Sequence, residues 1–303
     1  MAKDKDKKVK PPKPAKAPSA HRPRGLREVK LALAVAAAVV VLGGLFFMRR
    51  GVLNANPYSQ TFARLQLVNL PDWLPQDIAQ GVLGEIAAAE GIAGQSVYAP
   101  DLVRTIYDRT LSNPWISKVH SVHKFPDGRV EVSAEFRRPF ALVRCENADD
   151  QDLTVVDHEG VVLPVPPRHM PGAVLIGDVR STPPEPGRKW DAEDLAAGLH
   201  LLRLLEDRPY CEEVTMIDVR NFDGRYIPGP EQPHLRIKAQ TGRGRPTDIR
   251  WGRFPAPDGL DYCVSPERKL EYLDWYYQTN GGRLAGLNSW IELRYDKLYV
   301  SPN

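Results

Sequence analysis

The sequence predicts an α+β protein held by one transmembrane helix, and three observations support this. Residues 31–48 form an apolar run without a charged residue. The chain after this run opens with the pattern strand, helix, helix, strand, strand, and its second half combines short strands with two amphipathic helices. Strands and helices that follow one another in groups, without strict alternation, are typical of α+β folds.

The apolar run is long enough for a membrane span. At about 1.5 Å per residue, its eighteen residues cover roughly 27 Å as a helix, close to the hydrocarbon thickness of a bilayer. Residues 1–30 carry eleven Lys or Arg and three acidic residues, and only Arg49 and Arg50 follow the run. The positive-inside bias therefore predicts a cytoplasmic N-terminus and extracytoplasmic residues 51–303.

A cleaved signal peptide is the alternative for this segment. The apolar run exceeds the usual length of roughly 7–15 residues, and no Ala-x-Ala site lies between Met48 and Gln60. A retained anchor is therefore favoured.

Charge and composition describe the rest of the N-terminal part. The whole chain has a net charge of +3; residues 1–30 contribute +8 and Arg49 with Arg50 contribute +2, which leaves −7 on residues 51–303. An acidic main body argues against nucleic-acid binding. Residues 1–30 are also rich in proline, so we expect a disordered basic tail, and residues 49–61 are expected to form a linker.

The first predicted domain, residues 62–143, follows from periodicity. Strands are predicted over 62–68, 116–125 and 129–137, and helices over 75–89 and 100–111. Apolar residues recur every three or four positions on each helix, as one buried face requires: Ile78, Val82 and Ile86 on the first, and Leu102, Val103, Ile106, Tyr107 and Leu111 on the second. Pro126-Asp127-Gly128 has the composition of a hairpin turn.

The second predicted domain, residues 152–303, is mainly antiparallel β structure with flanking helices. A helix over 191–205 is expected to be capped by Asp191, and a second is expected to begin with Ser265 as N-cap and Pro266 in the first turn. Strands are predicted over 213–219, 234–239 and 247–251, and a final strand is predicted over 290–300. The polar residues 145–151 indicate a joint between the two domains.

The search for chemistry identifies no catalytic residue, metal ligand set or cofactor loop. Cys145, Cys211 and Cys263 are widely spaced, so one disulfide with a leftover thiol and three reduced cysteines both remain open. His120 and His123 lie three apart on a predicted strand and would point to opposite faces. The sequence therefore predicts a binding module and not an enzyme.

The final strand is the predicted binding element. A chain-terminal strand lies at or near a sheet edge, where its unpaired N–H and C=O groups can accept a partner strand. In this strand Ile291, Leu293 and Tyr295 are predicted to pack inward and Glu292, Arg294 and Asp296 to face outward. The candidate partner-binding residues are Arg294, Tyr295, Asp296, Leu298 and Tyr299.

A succession of short motifs resembles one known family. The motifs are Asn113-Pro114-Trp115-Ile116, Phe125-Pro126-Asp127, Arg137-Arg138-Pro139-Phe140-Ala141, Asp157-His-Glu-Gly160, and Trp290-Ile-Glu-Leu-Arg-Tyr-Asp296. Their order is similar to that of the bacterial division proteins FtsQ and DivIB. Residues 62–143 correspondingly resemble a POTRA domain, with Trp115, Pro126, Arg137 and Pro139 as its motif residues.

The resemblance implies a function without catalysis. Members of the family are bitopic inner-membrane scaffolds of cell division and septation, which bind the bitopic proteins FtsB (or DivIC) and FtsL outside the cytoplasm. Two alternatives share parts of the pattern: a POTRA-containing component of envelope transport or secretion, and a membrane-anchored envelope enzyme.

Overall fold

The fold is that of a computed structural model, which describes residues 33, 35–46, 48, 64–89, 92, 95–149, 152–229, 232–255 and 263–302. Of the predicted span, residues 33, 35–46 and 48 are helical, and the rest of it lies outside the described residues, as do the predicted tail (1–30) and linker (49–61). Among the described residues, no helix has both the length and the apolar character needed to cross a membrane. All strands given below belong to the compact unit Ser59–Asn303.

The first sheet has three strands and carries two helices. In chain order these elements are β1 (Arg64–Val68), α1 (Gln76–Ala88), α2 (Leu102–Ser112), β2 (Ile116–Lys124) and β3 (Arg129–Phe136). The strand order is β1-β3-β2, with β1 parallel to β3 and β2 antiparallel to it. The predicted order of strand, helix, helix, strand, strand is confirmed. Gly128 has a φ of +87° in the β2–β3 turn, a conformation that favours glycine.

The buried face of α2 differs from the prediction at two positions. Leu102, Ile106 and Thr110 are fully buried, whereas Tyr107 is 39% exposed and Leu111 is 45% exposed. The buried positions recur every four residues, so the helix turns Tyr107 and Leu111 away from the core. Thr110 tolerates burial because its hydroxyl donates to the Ile106 carbonyl oxygen at 2.7 Å.

The second sheet has nine strands in the order β12-β11-β10-β9-β8-β7-β4-β5-β6. The strands are β4 (Pro139–Cys145), β5 (Leu153–Asp157), β6 (Val162–Leu163), β7 (Leu175–Val179), β8 (Val214–Asp218), β9 (Leu235–Ala239), β10 (Thr247–Gly252), β11 (Trp290–Glu292) and β12 (Tyr299–Val300). The helices α3 (Glu193–Leu205) and α4 (Pro266–Thr279) complete it. The pairs β4–β7, β7–β8 and β10–β11 are parallel and the other five are antiparallel, so the sheet is mixed. The chain is a mixed α+β protein.

Two elements differ from the predicted strands. The segment 139–143, included in the first predicted domain but not predicted as a strand, belongs to β4, which pairs with β5 and β7 of the second sheet. The predicted single strand 290–300 is wrong: β11 and β12 are two short strands that pair antiparallel across a turn. The turn forms because Leu293 is fully buried and the side chain of Arg294 folds back onto Glu292.

One predicted helix cap is confirmed and the other is wrong. Ser265 caps α4 by accepting a hydrogen bond from the Arg268 N–H, as predicted. Asp191 does not cap α3, which begins at Glu193 after Ala192 without a side-chain cap. Asp194 takes part in the local hydrogen bonding instead, because its carboxylate is buried and accepts from the backbone N–H groups of Arg180 and Leu195.

Two hydrophobic cores meet at one end of the second sheet. The larger core lies between that sheet and its helices, and the smaller one lies under the first sheet with α1 and α2. Val155 on β5 and Leu163 on β6 are buried in the smaller core, although their strands belong to the second sheet. The two sheets therefore share apolar contacts along their boundary. Cys145, Cys211 and Cys263 are unpaired.

Candidate functional site

The end strand of the nine-stranded sheet presents an open edge. β12 pairs with β11 through Ile291 opposite Val300 and Glu292 opposite Tyr299, and the Ser301 N–H donates to the Trp290 carbonyl at 3.1 Å. Backbone groups alternate in direction along a strand, so the N–H and C=O of Val300 point away from β11. Within the described chain no strand pairs with this outer side. The predicted edge position of the last strand is confirmed for Tyr299–Val300.

Hydrogen bonds hold the end of the chain against the sheet. Ser301 is nearly buried, and its hydroxyl accepts from the Ser289 N–H at 2.8 Å. The Asn288 side-chain amide donates to the Ser301 carbonyl at 2.6 Å, and the Tyr276 hydroxyl of α4 donates to the same Asn288 side chain at 2.7 Å. These contacts fix β12 to the body of the protein without using its outer edge.

The turn between β11 and β12 is organised by Arg294. Its Nε and Nη2 atoms donate to the two carboxylate oxygens of Glu292, at 2.7 and 2.8 Å. Bonds in this paired geometry raise the pKa of the Arg294 guanidinium. The Tyr272 hydroxyl of α4 donates to the Asp296 carbonyl, and Leu298 packs against the larger core. The turn is therefore fixed from both the strand and the helix.

Aromatic side chains are exposed on β12, on the turn before it and on α4. Tyr295 and Tyr299 are each 51% exposed, and their rings meet edge to face with centroids 6.0 Å apart. Trp275 is 60% exposed and lies on α4 one turn beyond Tyr272. Large aromatic side chains of this kind are frequent in protein interfaces, because each covers a wide apolar area at a small loss of conformational entropy.

The predicted inward and outward residues of the last strand are partly wrong. Ile291 and Leu293 are buried as predicted, but Tyr295 is exposed and Glu292 is buried. The strand alternation ends at Glu292, where the ladder stops, so it cannot predict side-chain directions beyond that point.

The five candidate partner-binding residues lie together in the turn and on β12. Asp296 and Tyr299 are exposed, whereas Arg294 and Leu298 are half-buried and support the turn. The sequence pattern did not indicate Trp275, because this residue lies outside the apolar stripe of α4. A large apolar side chain outside the stripe was the only signal that could have indicated it.

The other predicted motif residues divide between the two ends of the first sheet. Trp115 and Arg137 meet where β2 begins and β3 ends, with the Arg137 N–H donating to the Trp115 carbonyl at 2.8 Å. Trp115 and Pro139 also line one groove of about 820 Å³ beside α1. Pro126 lies in the turn at the opposite end of the hairpin and does not join them.

Arg137 also connects the two sheets. Its Nη1 donates to Asp157 at 2.7 Å and to Glu159 at 2.8 Å, at the turn after β5. The side chains of Arg137 and Asp157 are only 16% and 5% exposed. Arg137 therefore joins the two sheets, a role that the motif in the sequence did not indicate.

The described residues contain no group of three or more His, Cys, Asp or Glu side chains that could hold a metal ion. Burial raises the pKa values of the Cys145 and Cys211 thiols, which lowers their thiolate fraction and hence their reactivity. What the described geometry offers is an open strand edge flanked by aromatic side chains. No known family model matches the chain, and no curated protein matches it.

Proposed function

We propose that this protein is a non-enzymatic, single-pass scaffold of the bacterial division machinery in the inner membrane. In this proposal the N-terminus is cytoplasmic and residues 51–303 lie outside the cytoplasm. The outer edge of β12 binds FtsB/DivIC-like and FtsL-like bitopic proteins, and the first sheet with its helices acts as a POTRA domain in recruitment to the division site.

The observation that carries the proposal is the free edge at Val300. Main-chain groups at an exposed sheet edge can accept an added strand, and neighbouring side chains then provide the specificity. Tyr295 and Tyr299 flank the edge from the turn and from β12, and their rings meet edge to face with centroids 6.0 Å apart. The order of the first five elements and the motif succession support the family assignment.

The Val300→Pro variant tests the proposal directly. Proline removes the outward-pointing N–H of residue 300, which takes no part in the β11–β12 ladder. We expect the full-length variant to lose most of its capture of co-expressed FtsB-like and FtsL-like proteins from the same genome, whereas the matched Val300→Thr variant retains it.

Two further measurements make the result decisive. Deletion of residues 296–303 should abolish capture as well, and circular dichroism should show that Val300→Pro keeps its secondary structure. Capture by a folded Val300→Pro variant at the wild-type level would contradict binding at this edge. Enrichment of a fluorescent fusion at midcell checks the assignment to division independently of the edge.

A further inference from the structure

The groove beside α1 lies at the end of the first sheet where β2 begins, and its volume is about 820 Å³. Residues of α1 line one part of it, and residues of the segment 164–170 line another. Five of the lining residues are prolines and two are tryptophans, and most of the others are apolar. We call it the α1 groove. A groove with this lining suits an extended peptide better than a compact polar ligand.

Trp115 brings an unpaired hydrogen-bond donor to the α1 groove. Its backbone N–H donates to the Asn113 side chain at 3.0 Å, and the Asn113 amide donates to Glu85 of α1 at 2.7 Å, so the residue is fixed next to the helix. The Trp115 side chain is only 7% exposed. Its indole N–H has no acceptor among the described residues, and unlike that of Trp251 it is not fully buried. Because a buried tryptophan usually has a partner for this group, a ligand carbonyl oxygen would complete the site.

Gly81 leaves space in the helical part of the groove lining. It lies inside α1, where glycine is less favourable than alanine. A Cβ atom at Gly81 would meet no atom within 4 Å, so packing within the protein does not require glycine here. The missing side chain lets the backbone of a ligand approach the helix closely.

The charges that α1 contributes to the groove have one sign. Asp77 and Glu85 are exposed lining residues of this helix, which contains no basic residue. They lie eight positions apart, about 12 Å along the helix axis. Within the described chain Asp77 forms no ion pair, and Glu85 accepts only from the Asn113 amide. The basic lining residues, Arg138 and His169, come from other segments. Cationic groups of a ligand are therefore favoured along α1.

We propose that the α1 groove binds a proline-rich peptide segment of a partner protein, which carries Lys or Arg and adopts the polyproline II conformation. This conformation has no internal hydrogen bonds, so its carbonyl oxygens are free to accept from the Trp115 N–H. With three residues per turn, a base at every third position stays on one side, at intervals of about 9 Å, and faces Asp77 and Glu85. This inference does not depend on the proposed partner binding at β12.

Fluorescence polarisation with labelled peptides tests the inference on the detergent-solubilised full-length protein. The probe is a blocked peptide of three Pro-Pro-Lys repeats. The two control peptides are three Ala-Ala-Lys repeats, which keep the charge without proline, and three Pro-Pro-Glu repeats, which keep proline with the opposite charge. We expect the Pro-Pro-Lys peptide to bind at one site, at least about tenfold more tightly than either control peptide.

Two glycines of one helix supply the matched variants. Gly81→Leu places a side chain in the groove and should weaken binding at least about tenfold. Gly84→Leu lies three positions further along α1, where a Cβ atom also meets nothing within 4 Å, but outside the groove lining, and should bind as wild type does. Both substitutions favour the helix, so the fold is not at risk.

Two substitutions test the polar contacts. Trp115→Phe keeps an aromatic ring without the N–H and should weaken binding about fivefold. Asp77→Asn should weaken it about threefold and should make the remaining binding less sensitive to salt. Circular dichroism shows whether each variant keeps the wild-type secondary structure.

The same measurements define the results that would overturn the inference. One is the absence of binding at about 1 mM Pro-Pro-Lys peptide, where a site of millimolar affinity would be half filled. Another is equal affinity in Gly81→Leu and Gly84→Leu, which would place the peptide outside the groove. Equally tight binding of the Ala-Ala-Lys peptide would show attraction by charge alone. A lower particle mass of Gly81→Leu than of wild type in light scattering would assign the groove to a second copy of the chain.

Discussion

Arg137 and Asp157 form an ion pair at the boundary between the two sheets, with Nη1 and Oδ2 2.7 Å apart. The other carboxylate oxygen of Asp157 accepts from the backbone N–H groups of Glu159 and Val161, so the acid is fully hydrogen-bonded. The arginine follows β3 of the first sheet and the acid ends β5 of the second. This one contact joins residues twenty positions apart and belonging to different sheets.

Arg137→Met should destabilise the protein by about 3 kcal/mol, because removing one partner leaves the buried Asp157 carboxylate without its counter-charge. Urea unfolding of the full-length protein, followed by tryptophan fluorescence, measures the change. Arg129→Met is the control: it breaks ion pairs with Asp127 and Glu131 that are much more exposed, and it should have a far smaller effect. Equal effects of the two variants would contradict a structural role of the Arg137 pair.

Lys269→Met should stabilise the protein at neutral pH. The fall of the Lys269 pKa from 10.5 to about 8 corresponds to about 3 kcal/mol of unfavourable free energy when the buried amine is charged. The unfolded chain binds more protons than the folded one between pH 8 and 10.5, so wild-type stability rises with pH across this window. Below pH 8 the full cost is present.

The pH series gives the check for Lys269. The advantage of Lys269→Met in chemical unfolding should be largest at pH 7 and should shrink progressively toward pH 10.5. A difference between variant and wild type that stays constant from pH 7 to 10.5 would be incompatible with a lowered pKa at this residue.

Gly252→Ala should disturb the β11–β12 turn. Gly252 has a φ of +87°, and a Cβ atom there would lie 2.7 Å from Cγ of Arg294. We expect a loss of at least about 2 kcal/mol and a weaker Arg294–Glu292 contact. Gly286→Ala is matched in backbone conformation, with the same φ of +87° but no atom nearer than 3.7 Å, and should cost only about 1 kcal/mol. Thermal unfolding of both variants separates the stability cost of the steric contact from that of the backbone conformation alone.

The helix glycines should respond in opposite directions. A Cβ on Gly198 of α3 would lie 2.8 Å from Cγ2 of Ile176 on β7, whereas one on Gly84 of α1 would meet nothing within 4 Å. Gly84→Ala should therefore stabilise the protein by about 0.5–1 kcal/mol through helix propensity. Gly198→Ala should destabilise it by about 1 kcal/mol, since overpacking exceeds that gain. The midpoints of urea unfolding measure both stability changes. A stabilising effect of Gly198→Ala would refute the close packing of α3 on β7.

Sequence periodicity predicted the strands and helices of the first sheet, because long strands and apolar stripes carry their own signal, but it placed Tyr107 and Leu111 on the wrong face of α2. Periodicity did not predict the features that depend on tertiary contacts. The assignment of β4 to the second sheet depends on pairing with β7, about thirty residues away, which no local pattern encodes. The turn after Glu292 depends on Arg294 and on α4.

The candidate site was predicted only in outline. The edge position of β12 agrees with the prediction for the last strand, but the exposure of Tyr295 followed from the turn. Neither Trp275 nor Lys269 could be identified, because the exposure of one and the burial of the other are set by how α4 rotates against the sheet.

The positions of Val155 and Leu163 bear on how the body of the protein responds to force. Each lies on a strand of the nine-stranded sheet but packs in the smaller core under the three-stranded sheet. Pulling the two sheets apart would expose both side chains to water, so neither sheet can loosen alone at that boundary without an energetic penalty. Mechanical tension entering at Arg64 should accordingly travel into the nine-stranded sheet, and single-molecule stretching should show one rupture event for residues 64–302 instead of two.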